Sequence, residues 1–192
     1  VCNIKEELGR RLDYTFGNIS IDERLTSLKI KKNDNKLANY GSGTTFFFDK
    51  SINYIRSGVY WDCCDDRKST YFDNSISLLD EDYNPITHTN YANQKAMIKD
   101  KCLSVFSGDE TNTSNDGKAS QFIDTNIENC INNGVRYLLF SVLSYNRINF
   151  DSANDVIATL QLMKDSLEGQ IYEPNRSQFN FNIKDNTKNK FV

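Results

Sequence analysis

The sequence predicts an all-β domain: a two-sheet β-sandwich with a short N-terminal helix and one late amphipathic helix packed on it. Three observations lead there. From Ile19 onward, short apolar or alternating runs recur between clusters of Gly, Asn and Asp, the spacing typical of sandwich and barrel strands. The chain has 192 residues, enough for one domain with a sizeable core. Its hydrophobic fraction is only 38%, yet 12 Phe and 10 Tyr supply the large buried areas that a sheet-rich core uses.

At the start of the chain, Asn3 followed by Glu6 has capping-box spacing, and Ile4, Leu8 and Leu12 recur every four residues. That pattern predicts a short amphipathic helix over residues 4–13, within an accessory segment 1–18. The strand-like runs follow as "LTSLKIK", "TTFFF", "INYIRSGVYW", "FDNSISLL", "ITHTNY", "CLSVFS", "SQFIDTNI" and "VRYLLFSVLSY". Between the first two, "KKNDNK" (Lys31 to Lys36) reads as a polar turn, and Trp61 as the anchor at the end of a core strand. Later, Ser152 with Asp155 three residues on gives a cap, Val156, Ile157, Leu160, Met163 and Leu167 lie on one helical face, and Gly169 suits a helix end. This predicts a helix over Ser152–Glu168 whose apolar stripe packs on the sandwich. The closing "QFNFNI" places Phe179, Phe181 and Ile183 on one side and Asn residues on the other, a half-exposed strand. Without an internal repeat, heptad run or Pro/Gly-rich linker, residues 1–192 read as a single domain.

The net charge of −3 is spread over interspersed Lys, Arg, Asp and Glu, with no basic block for a nucleic-acid groove or a polybasic membrane patch. The longest apolar stretch, Val135 to Leu143, has the length of a strand and not of a membrane span. Five cysteines, an odd number with Cys63 and Cys64 adjacent, fit a reducing compartment better than a disulfide framework, and the expected location is cytoplasmic. The Asn-x-Ser/Thr sequons at Asn18, Asn112 and Asn175 are what an Asn-rich chain yields by chance.

Nucleophilic catalysis usually needs a base, and the one histidine, His88 in "PITHTNY", has nothing beside it that marks a nucleophile. Motifs for zinc, nucleotide or dithiol chemistry are absent. Asp62, Asp65 and Asp66 surround the vicinal cysteines in "YWDCCDDRK", but neighbouring carboxylates raise a thiol's pKa, and no base, nucleophile and oxyanion donor can be named together. The reading is therefore non-enzymatic. Oxygen ligation of a hard cation is the remaining chemistry: "SGDETNTSNDGKASQFI" offers Asp109, Glu110, Asn112, Asn115 and Asp116 between Gly108 and Gly117. The stretch is not an EF-hand, because Ile123 stands where a bidentate Glu is needed, and by composition it reads either as a calcium loop or as a solvated polar loop.

The order of "SGVYW", "DNSISLLDED", "SGD" with its polar loop and "SQFIDTNI", "GVRYLLFSVLSY" and "GQIYEPNRSQFNFNI" resembles the TerD-like domains of the tellurite-resistance and stress-response family. The similarity runs from Gly58 to the C-terminus, and less closely from Leu25. Each motif is loose alone; order and spacing carry the resemblance. It implies a β-sandwich with calcium held by two acidic modules, D-x-D-x-S on one strand and an SGD loop ending in an acidic run. The first module falls on Asp73, Ser75 and Ser77, with Ser75 in place of the second Asp. In the second, Ser107, Gly108 and Asp109 stand, the glycine-acid repeats become "ETNTSNDGKA", and Gln121 replaces the closing Glu. The ligand set implied is Asp73, Ser75, Asp109, Asn112, Asp116 and Gln121, and the loss of two carboxylates predicts calcium binding that is weak or absent. In longer family members the YEP-type segment leads into a further strand, so this chain is expected to be an excerpt.

The function expected is a non-enzymatic TerD-like stress-response module with a degenerate calcium-binding edge, acting through protein partners, without nucleic acid or membrane insertion. The alternative is a structural or scaffolding domain of a larger assembly that has lost calcium binding. The sequence names no small-molecule ligand.

Overall fold

Strand β1 (Tyr54–Asp62) is the strand to which the longest pairings are made. The others follow as β2 (Phe72–Leu79), β3 (Pro85–Thr89), β4 (Lys95–Ile98), β5 (Lys101–Phe106) and β6 (Lys118–Asn126), then helix α1 (Ile127–Asn132), β7 (Tyr137–Ser144), a 3-10 turn (Phe150–Ser152), β8 (Asp155–Met163), β9 (Phe179–Asn182) and β10 (Lys190–Phe191). This computed structural model describes residues 45–48, 51–63, 70–109, 117–147, 149–166 and 177–183, with the backbone of 190–191. The chain divides into two units, Val1–Phe46 and Phe47–Val192, and the fold is that of the second. The expected helix over residues 4–13, "LTSLKIK", "KKNDNK" and Cys64 lie outside the described residues.

Two antiparallel sheets form the sandwich, a six-stranded one in the order β4-β5-β6-β1-β8-β9 and a four-stranded one in the order β10-β7-β2-β3. The expected all-β, two-sheet class is the observed one. In β1, Val59 and Trp61 face inward and join Phe72 and Val142 of the other sheet, Phe150, and Val156 and Ala158 of β8 in one apolar cluster. A second cluster gathers Ile76, Leu78, Leu103, Phe106, Ile123 and Cys130. Trp61 is fully buried and meets Phe72 edge-on at 5.9 Å, while Phe72 stacks on Phe150 at 5.6 Å. Such aromatic pairs add roughly 1 kcal/mol each beyond the area they bury.

On the opposite face of the larger sheet, alternation places Arg56 directly across from Asp124. The pair is bidentate, Nε to Oδ1 at 2.6 Å and Nη2 to Oδ2 at 2.8 Å, with both side chains buried. The guanidinium also lies 5.0 Å from the centroid of Phe122, and Ser166 Oγ donates to Asp124 Oδ2 at 2.7 Å. Gly58 makes room for this arrangement: a Cβ there would stand 2.2 Å from the Phe122 ring.

The late segment corrects the sequence reading. Among the described residues of the expected Ser152–Glu168 helix there is no α-helix; Asp155–Met163 is strand β8, paired along its whole length with β1 from Tyr54 opposite Met163 to Asp62 opposite Asp155. Val156 and Ala158 are buried on one face of β8, and Thr159 and Gln161 on the other. A strand covered on both faces loses the apolar-polar alternation that marks a half-exposed one, and its apolar spacing then mimics a helical stripe. The β-branched Val156, Ile157 and Thr159 favour the strand, and pairing on both sides overrides the helix cap read at Ser152. Leu167 and Gly169 lie outside the described residues. Residues 45–48 of the "TTFFF" run are irregular instead of strand. Short β4 and helix α1 were not expected; Asn126 caps α1 by accepting from the Asn129 N–H at 2.8 Å. Among the described residues no helix is long and apolar enough to cross a membrane.

Candidate functional site

Strand β3 pairs with β2 only from Ile76 onward, so among the described residues no strand lies beside Asp73 and Asn74 on the side away from β7. The start of the β5–β6 connection is linked to that edge through the side chain of Gln121. Ser107 extends the β5–β6 ladder, its N–H donating to Phe122 O at 2.8 Å and its Oγ accepting from the Phe122 N–H at 2.9 Å. Gly108 then adopts φ 126°, a left-handed conformation that glycine takes without steric cost, and delivers Asp109 toward β2. At the far end of the connection, Gly117 has φ 77° and packs on Cys63, whose carbonyl oxygen would lie 2.4 Å from any Cβ there. Both ends of the loop are thus fixed to strands; Asn112 and Asp116 lie outside the described residues.

Gln121 of β6 is fully buried and holds the two carboxylates together. Its Nε2 donates to Asp109 Oδ1 at 3.2 Å and to Asp73 Oδ1 at 3.4 Å, while its Oε1 accepts from the Asn74 N–H at 3.4 Å. The orientation of the amide follows from chemistry: turned over, it would aim its carbonyl oxygen at two acceptors. Asn74 continues the polar layer inward, its Nδ2 donating to Ser57 O at 3.4 Å and its Oδ1 buried without a hydrogen-bond partner. Ser75 stands apart. It shares the face of Asp73 but lies one strand pair along, and its Oγ bonds to Ser141 Oγ at 2.7 Å.

Of the six implied ligands, the structure therefore brings Asp73, Asp109 and Gln121 together, and it commits Ser75 to Ser141. Sequence reasoning missed Asn74, whose contribution is a backbone N–H that carries no residue signature. As held, the donor set does not fit a cation. Gln121 presents protons to both carboxylates, and ligation through its carbonyl needs the amide to turn over and release the Asn74 N–H. Among the described residues no group of three or more His, Cys, Asp or Glu is placed to hold a metal ion. His88 is exposed, Cys63 is buried with its thiol 3.6 Å from Thr70 O, and Asp65 and Asp66 lie outside the described residues.

The Asp73 side chain is 8% exposed and its carboxyl holds its proton above the ordinary 3.8. Burial is the main cause; the Gln121 amide opposes it and the negative Asp109 reinforces it. Because the folded state keeps this proton to higher pH than the unfolded chain, the contribution to stability is fully present below the unfolded value and lost as pH rises through the folded one. Asp73→Asn, which keeps an oxygen for the Gln121 amide, is expected to raise the melting temperature at neutral pH by about 2–4 °C, on the order of 1 kcal/mol. Melts repeated down to about pH 3.5 should show that gain disappear as the wild-type carboxyl protonates.

A scan against protein-family models and a search of curated proteins return no significant match to this chain.

Proposed function

We propose that this chain is a non-enzymatic, cytoplasmic TerD-like stress-response module whose calcium-binding edge has degenerated and which acts through contacts with other proteins. The observation that supports the reading is the meeting of "DNSIS" and "SGD", far apart in sequence, through the single amide of Gln121. These are the segments that the family resemblance pairs as the halves of one site. A positively charged ion between Asp73 and Asp109 is replaced by two amide protons, which satisfy the carboxylates without neutralising them. Divalent affinity scales with carboxylate count and with the readiness of the ligands, and both are reduced here. The same clasp favours the second reading, a scaffolding domain that no longer binds calcium at all.

Isothermal titration calorimetry with calcium tests the degenerate edge and separates the two readings. The expected result is a dissociation constant on the order of 1 mM or weaker, at or beyond the weak end of protein calcium sites. Millimolar heat that Asp109→Ala removes supports the degenerate edge, and no heat at all supports the scaffold. Micromolar binding abolished by Asp109→Ala would overturn both, since it would make the edge a working calcium site.

A further inference from the structure

We propose that Asn133 is a site of covalent modification: it deamidates when the C-terminal cap of α1 opens, and the product weakens that cap permanently. Helix α1 ends in a Schellman motif, with the Gly134 N–H donating to Ile131 O at 3.1 Å and the Val135 N–H to Cys130 O at 3.0 Å. Cys130 and Val135 both enter the second apolar cluster, so the cap also pins the helix to the core. Such a cap needs a left-handed residue, and Gly134 supplies it at φ 83°. That requirement sets a glycine directly after Asn133, the one Asn-Gly pair among the 192 residues. A Cβ at Gly134 would meet nothing within 4 Å, so the junction is open on that side.

The chemistry needs water and no other reagent. The deprotonated backbone nitrogen of Gly134 attacks Cγ of Asn133; as the N–Cγ bond forms, the Cγ–Nδ2 bond breaks and ammonia leaves, carrying the proton that the backbone nitrogen gave up. Water then opens the five-membered succinimide at either carbonyl, leaving aspartate or isoaspartate. In the closed cap both reacting groups are engaged, the Gly134 N–H with Ile131 O and the Asn133 Nδ2 donating to Asn129 O at 2.8 Å. The reaction therefore runs from the open form, and a six-residue helix opens readily. Afterwards an aspartate sets a carboxylate against Asn129 O at the negative end of the helix, and isoaspartate adds a carbon to the backbone between Cys130 and Val135. Arg136, whose Nη1 donates to Ile131 O and Val135 O, offsets part of the first effect and none of the second. Because α1 joins β6 of one sheet to β7 of the other, the lesion loosens the joint of the sandwich. None of this involves the Gln121 edge.

Peptide mapping by mass spectrometry tests the proposal on the intact chain, aged in mildly alkaline buffer with and without enough urea to unfold it. The folded chain is expected to gain aspartate and isoaspartate at Asn133 roughly ten- to a hundredfold more slowly than the unfolded one, a slowing that hydrogen exchange at the Gly134 N–H should share. Asn126→Ala removes the N-cap bond to the Asn129 N–H and should speed the reaction in the folded protein about fivefold. The proposal is overturned if the folded chain shows no product at Asn133 once the unfolded chain has fully converted, or if the two react equally fast. A slowing that hydrogen exchange at Gly134 does not share, or a folded Asn126→Ala variant no faster than the wild type, overturns it too. The exchange comparison needs no variant and decides the question should Asn126→Ala fail to fold.

Discussion

Arg56→Ala is expected to lower the melting temperature by about 6–20 °C. Removing one partner of a buried ion pair costs about 3–5 kcal/mol, since the other charge is left desolvated, and each kcal/mol is worth about 2–4 °C in a domain of this size. Here Asp124 would keep the Ser166 hydroxyl but lose both guanidinium bonds, and Phe122 would lose the cation lying against its ring. The expectation has a counterpart that distinguishes charge from packing. Arg56→Met combined with Asp124→Leu removes both charges at similar volume and should recover most of the loss, to within about 1 kcal/mol of wild type. Thermal and urea melts of the three proteins measure this; a double variant as unstable as Arg56→Ala would show that the pair acts through shape.

Gln121→Glu is expected to make the domain calcium-dependent. The substitution replaces two amide protons with a third carboxylate at a fully buried position facing Asp73 and Asp109. Without metal, an uncompensated buried charge costs about 3 kcal/mol or more, a fall of roughly 6–12 °C. With calcium in the millimolar range, three carboxylates and the Asp109 loop have a cation to share, and stability should return toward that of the wild type. Gln121→Leu is the comparison: it loses the hydrogen bonds without adding charge and should be destabilised equally with and without calcium. Indifference of Gln121→Glu to calcium would mean that the edge lacks the geometry of a cation site, and the degenerate-site reading would go with it.

Much of the sandwich was legible in the sequence. "INYIRSGVYW", "FDNSISLL", "CLSVFS" and "VRYLLFSVLSY" each overlap an observed strand, because their apolar residues alternate or run together between turn formers. β8 was misread because both of its faces are covered, so the pattern that separates strand from helix is erased where pairing is most extensive. β4 contributes one buried residue, Ala96, and is joined to β5 through Lys99 and Asp100, both with positive φ, where an Asn-Gly signature would have announced the turn. The candidate site was legible as residue types in order; its chemistry was not. Which atom Gln121 presents depends on the Asn74 N–H left open by the short reach of β3, a property of strand pairing and not of either motif. Arg56 and Asp124 had a faint signal, a lone charge in the middle of each of two apolar strands, but only the β1–β6 register sets one against the other.

The position of β1 also dictates an order of assembly. It is the first strand of the described fold, yet both of its neighbours arrive late, β6 at Lys118–Asn126 and β8 at Asp155–Met163. Closing loops of that length is entropically slow, so the central ladder cannot zip from a local turn as a hairpin does. During synthesis Arg56 and Trp61 emerge long before the residues that bury them, and the strand must wait in water with a free edge on each side. The domain is therefore most vulnerable to aggregation while it is being made, and its hazard lies in its innermost strand.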